Sequence, residues 1–194
     1  MDTQHQLNKL KAYLADHPGV LDLHFIKDTT DFPFDWGPEV MKHLDLLAKT
    51  GTGSYIGFWS PDGEIAAQSQ NLPLVWIDHE GVLMSVFAND TGDFLKLLHY
   101  DSGLIYEFLI DAYFYKTDPS CYDDPRKKFT NKYLAKYLKN IEKDNLPDFK
   151  DLRQWLSDTL EIPVPDDPAR IISEAVDTHD DFHEWLNQFV KSKK

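Results

Sequence analysis

Asp78-His79-Glu80 is the most polar turn in the middle of the chain, and it sets a carboxylate on either side of an imidazole. Such a pairing can do general acid–base work. Neighbours on extended backbone point to opposite sides, however, and no nucleophile stands at a spacing that demands such a partner. The turn reads as structural, or as part of a binding rim. His179 and His183 lie four apart, share a helix face and have Asp180 and Glu184 beside them. That is half of a metal site: no Glu directly follows the first His and no third ligand is evident, so an exposed polar face is expected rather than a metal centre. Cys121 lies in the polar loop TDPSCYDDP next to Asp123 and Asp124, whose negative charge raises a thiol pKa and argues against a nucleophile. Gly51 to Ser54, GTGS, lacks the Lys and the length of a phosphate-binding loop. No catalytic set, cofactor or metal is expected.

Composition narrows the class further. A chain of 194 residues buries roughly 70% of the surface its unfolded form exposes, enough for a real core. Hydrophobic residues at 42% and a mean hydropathy of -0.48 suit a globular protein rather than a disordered or membrane-spanning one. The opening MDTQHQLNKLKAYLADHP has no apolar export segment, and no apolar run approaches the length of a membrane span. A single cysteine allows no intramolecular disulfide. These features predict a cytoplasmic protein that does not enter membranes. The net charge of -13 repels phosphate backbones and attracts basic partners, so nucleic acid is not an expected ligand.

The elements that would position these residues follow from periodicity and punctuation. Leu7, Leu10, Tyr13 and Leu14 predict an amphipathic helix over Thr3–Asp16, stopped by His17-Pro18-Gly19. Leu21, Leu23 and Phe25 alternate with Asp22, His24 and Ile26 as a strand does, with His24 outward. Phe32, Phe34 and Trp36 lie in a turn-rich segment and read as a lid over the core. Pro38 then opens a predicted helix reaching about Lys49, with Val40, Met41, Leu44, Leu47 and Ala48 as its stripe. Ser54–Trp59, Glu64–Gln68, Leu74–Ile77 and Val82–Ala88 read as strands. They are joined by the Ser60-Pro61-Asp62-Gly63 turn, a loop and the Asp78–Gly81 turn. Asn89-Asp90-Thr91 offers caps for a helix carrying Phe94, Leu95, Leu97 and Leu98, and a largely buried helix spans Leu104–Tyr115. Antiparallel strands with helices on one face make an α+β domain.

Beyond residue 119 the chain reads as helical, and its charge becomes organised. Arg126 to Lys139 holds six bases and no acid, on a predicted helix Arg126–Lys143 whose apolar stripe includes Tyr133, Leu134, Tyr137 and Leu138. Such a helix has a solvated basic face, which is also able to pair with the acidic C-terminal helices. Glu142 to Glu184 carries thirteen acids against four bases. Helices are predicted there over Asp148–Leu160, Pro168–Val176 and Asp180–Val190, with the proline-stiffened link IPVPDDP between the first two.

The series GSYIGFW, PLVWIDHEG, a further strand, a small polar turn and DFLKLL resembles the SUKH superfamily. In that family a strand ending in Trp precedes a PVVYLGSEG-like strand and turn, and then a helix with an FLxLL-like core. The match runs through Pro73, Val75, Trp76, Ile77, Glu80, Gly81, Phe94, Leu95, Leu97 and Leu98, with Asp78 standing where the family turn has glycine. It covers residues 51–100 well and 148–190 loosely. The resemblance implies an α+β scaffold with a mostly antiparallel, twisted sheet and flanking helices. It also implies a non-enzymatic role: bacterial members are intracellular immunity proteins that neutralise polymorphic toxins, and fungal members regulate cell-wall synthesis through protein contacts.

The expectation is therefore an α+β core over residues 1–118 and a helical extension over 119–194 packed on or beside it. The expected function is non-catalytic protein binding, as an immunity protein against a basic toxin such as a nuclease. A regulatory interaction scaffold and a metal-dependent hydrolase built on the His and Asp residues are the alternatives. The expected contact surface comprises Asp62, Glu64, Asp78 and Glu80 from the two turns, together with Asp166, Asp167, Asp180 and Asp181. The sequence carries no signal of oligomeric state.

Overall fold

The computed structural model describes residues 2–26, 36–63, 71–143 and 147–191. The fold is α+β. Helix α1 (Thr3–Asp16) starts where the Asp2 side chain accepts the Gln4 N–H, and it buries Leu7, Leu10 and Leu14. Among the described residues five strands follow: β1 (Leu23–Phe25), β2 (Leu44–Thr50), β3 (Tyr55–Trp59), β4 (Leu74–Ile77) and β5 (Met84–Ala88), with a short helix α2 (Gly37–Met41) between the first two. They form one antiparallel sheet in the order β1-β2-β3-β4-β5, so each strand lies beside its neighbour in sequence.

The predicted helix over Pro38–Lys49 is corrected by the structure. It ends at Met41, and residues 44–50 form β2, hydrogen-bonded to β1 on one side and β3 on the other. Leu44 and Leu46 face one side of the sheet, Leu47 and Ala48 the other, and a register shift between Leu46 and Ala48 marks a bulge. An interior strand covered on both faces reads as a continuous apolar run, which imitates the spacing of a helical stripe. Gly57 on β3 sits opposite Leu46: a Cβ there would come within 2.9 Å of the Asp45 carbonyl oxygen, so only glycine permits this approach. The predicted strand Glu64–Gln68, and Phe32 and Phe34 of the lid, lie outside the described residues. Trp36 packs, half-buried, beneath the sheet.

After the sheet come α3 (Thr91–Leu97), α4 (Ser102–Thr117), α5 (Pro125–Lys128), α6 (Asn131–Lys143), α7 (Pro147–Thr159), α8 (Pro168–Thr178) and α9 (Asp181–Lys191). Asp90, Asp101 and Asp167 cap α3, α4 and α8 by accepting backbone N–H groups of their first turns. The single basic helix expected over Arg126–Lys143 is two helices, α5 and α6. The chain breaks at Phe129, which turns into the core and packs edge-on against Phe108 with ring centres 4.3 Å apart.

Helices cover both faces of the sheet, not one. Ile56, Phe58, Leu74, Trp76 and Phe87 meet residues of α1, α3, α4 and α7. On the other face Tyr55, Trp59, Val75, Ile77 and Val86 meet Val40 of α2 and Phe182 and Leu186 of α9. Helix α8 packs on the end strand β5 and serves both layers, Ile172 and Val176 on the first and Ala175 on the second. It thereby shields an edge that would otherwise offer unpaired backbone groups.

Candidate functional site

The register of β3 on β4 pairs Tyr55 with Ile77, so Ser54 and Asp78 leave their strands side by side at one end of the sheet. The Ser54 hydroxyl donates to Asp78 Oδ1 (3.3 Å), and the backbone N–H groups of Glu80 and Val82 donate to Asp78 Oδ2 (3.2 and 3.4 Å). The Asp78 carboxylate thus organises the turn between β4 and β5 from within. It is expected on an exposed rim; the structure corrects this, leaving the residue 4% exposed. His79 and Glu80 project outward, with side chains 44% and 71% exposed, and Val82 at the turn's tip is 66% exposed.

Beneath this turn lies a cleft of about 240 Å³, lined on its far side by the first two turns of α4 through Ser102, Gly103 and Tyr106. Tyr106 stacks on the buried Trp76, ring centres 5.5 Å apart. Burial raises the Tyr106 phenol above its ordinary pKa, and the nearby Asp78 carboxylate adds to the effect. Trp76 Nε1 is buried without a hydrogen-bond partner. His79 Nδ1 lies 3.5 Å from Asp78 and its Nε2 lies 3.8 Å from Glu80. In this cleft the hydroxyl of Ser54 is bonded to the carboxylate and not to the imidazole, so the geometry does not activate Ser54 as a nucleophile.

The structure separates the other acids of the expected contact surface. Asp62 follows β3 while Asp78 follows the antiparallel β4, so the two turns lie at opposite ends of strands roughly 13 Å long. Glu64 lies outside the described residues. Asp166 is exposed, and Asp167 caps α8 at 2.9 Å from the Arg170 nitrogen. Asp180 and Asp181 stand beyond the other end of that 11-residue helix, roughly 16 Å away. The seven of these acids among the described residues do not form one patch.

His179 and His183 do come together. Both line a second cleft of about 290 Å³ at the corner between α8 and α9, over an apolar floor of Met84, Val176 and Phe182. His179 caps α8, and its ring meets Trp59 edge-on at 6.1 Å. Burial lowers its pKa, against an opposing pull from Asp181. Lys116 crosses this corner, donating to the Val176 carbonyl (2.9 Å) and standing 3.7 and 3.8 Å from Asp177 and Asp180. Among the described residues no three His, Cys, Asp or Glu side chains are grouped as a metal ion would need. Cys121 is exposed.

The basic segment finds its acids nearer than expected. Lys128 pairs with Glu107 and Asp111 of α4, and Arg126 pairs with Asp124, while α6 hydrogen-bonds α4 through Tyr133 to Glu107 and Tyr137 to Asp101. Tyr106, Trp76, Ser54 and the start of α4 are the members of the first cleft that sequence reasoning missed. The signal that finds Ser54 is the hairpin register; Tyr106 comes from a distant helix and carried none. No family model, curated protein or solved structure matches the chain.

Proposed function

We propose that the protein is a non-catalytic, intracellular protein-binding module of the SUKH type, an immunity protein that covers a basic toxin such as a nuclease. The observation that carries this reading is the make-up of the β4–β5 turn, where exposed apolar Val82 stands next to exposed acidic Glu80 over a cleft without an activated nucleophile. An exposed apolar side chain beside an exposed charged one suits the margin of a protein interface. The net charge of -13 complements a nucleic-acid-binding surface and accelerates capture of such a partner, and the resemblance over residues 51–100 supports the same role.

Affinity capture on the full chain, from its own lysate and from competitor strains, tests this reading. One basic protein retained at low salt, with an association rate that falls steeply as salt rises, is the expected result. Several moderate partners would favour a regulatory scaffold instead. Metal-dependent hydrolysis lost in His79→Ala or His183→Ala would replace binding with catalysis.

A further inference from the structure

The cleft under the β4–β5 turn is lined by two carboxylates, Asp78 and Glu80, that form no ion pair with a lysine or arginine among the described residues. Asp78 is almost fully buried among neutral donors, the Ser54 hydroxyl, the Tyr106 phenol and two backbone N–H groups, with His79 beside it. Burying a carboxylate costs free energy that neutral donors offset only in part, so the site gains when a cation arrives. Glu80 adds a second, exposed carboxylate at the mouth. One wall is aromatic: Tyr106 lies flat on Trp76, whose ring backs the cleft. At about 240 Å³ the space admits one long side chain and little more.

We propose that this cleft seats an arginine side chain of the protein partner, with Val82 as the adjoining apolar contact. A guanidinium is planar, weakly hydrated for a cation, able to lie on an aromatic face and to bond carboxylates through its fork of donors, which suits this wall and these acids better than an ammonium does. The cleft rests on the binding reading for its partner, but its chemistry is testable without one.

The probe is N-acetyl-arginine amide, titrated into the 15N-labelled full chain, with the lysine, citrulline and aspartate analogues alongside. Arginine is expected to shift the amides of residues 78–82 and 102–106 saturably, with the isosteric neutral citrulline at least about tenfold weaker. Glu80→Gln, at an exposed position that leaves the core untouched, is expected to weaken arginine binding several-fold and leave the rest of the spectrum in place. Absence of shifts at these amides, equal binding of citrulline, or preference for the aspartate analogue at the start of α4 would each overturn the proposal. A captured partner that binds Glu80→Gln and Val82→Ser as well as the parent would overturn this location while leaving the binding reading intact. Arginine binding with no partner captured would do the reverse.

Discussion

Asp78 is worth more to the turn than to its surface. Its carboxylate accepts three hydrogen bonds that no other group replaces, so Asp78→Ala is expected to destabilise the protein by roughly 1–3 kcal/mol, read as a lower midpoint in urea denaturation. His99 makes the complementary case. Its Nε2 bonds the Ile162 carbonyl at 3.0 Å, its Nδ1 is buried without a partner, and burial lowers its pKa from 6.5, Arg153 adding to the effect. Above about pH 6.5 both folded and unfolded chains carry this imidazole neutral; below it the unfolded chain takes up the proton first. Stability is therefore expected to fall as pH drops from about 6.5 toward the depressed folded value, and His179, lowered in the same direction, contributes with the same sign. Asp101, raised above 3.8 chiefly by burial, acts oppositely and at lower pH. His99→Gln, which retains a donor for Ile162 but takes up no proton, should flatten the upper part of this profile in thermal melts recorded between about pH 5 and pH 8.

At the level of elements, α9 rather than any strand decides whether the second face of the sheet is dry. Phe182 meets Trp59 edge-on at 4.9 Å and stacks on Trp185 at 5.8 Å, and it is fully buried. Phe182→Ala is expected to cost about 3–5 kcal/mol in chemical denaturation, a loss set by the cavity left over Trp59. The strands β3, β4 and β5 and most helices were legible in the sequence because local chemistry marks them: Pro61 and Gly63 in one turn, Asp90 among the cap choices before α3. The strand β2 was not, because Leu44, Leu46, Leu47 and Ala48 serve two buried faces and so lose the alternation that betrays a strand. The candidate cleft was half legible. Asp78, His79 and Glu80 announce themselves by type, whereas the meeting of Ser54 with Asp78 depends on strand register and that of Tyr106 with both depends on how a distant helix docks.

For the molecule as a whole, the C-terminal segment reads as part of the core. Phe149, Leu152, Leu156 and Ile172 share one buried cluster with the sheet and the N-terminal helix, and Phe182 and Leu186 complete the other. Residues 1–118 produced alone are therefore expected to lack cooperative unfolding and to expose apolar surface, measured as dye binding and a broad thermal transition; a sharp transition would show the first 118 residues to be an autonomous domain. The same layout sets an order of events during synthesis. The five described strands are all made once Ala88 has been added, but Phe182 and Leu186 of α9, which complete the cover over Trp59, are added only near the end of the chain. At translation rates of about 5–20 residues per second, the nascent chain carries Trp59 without its α9 cover for about 5–20 s, the interval in which a ribosome-associated holdase has a hydrophobic client to protect.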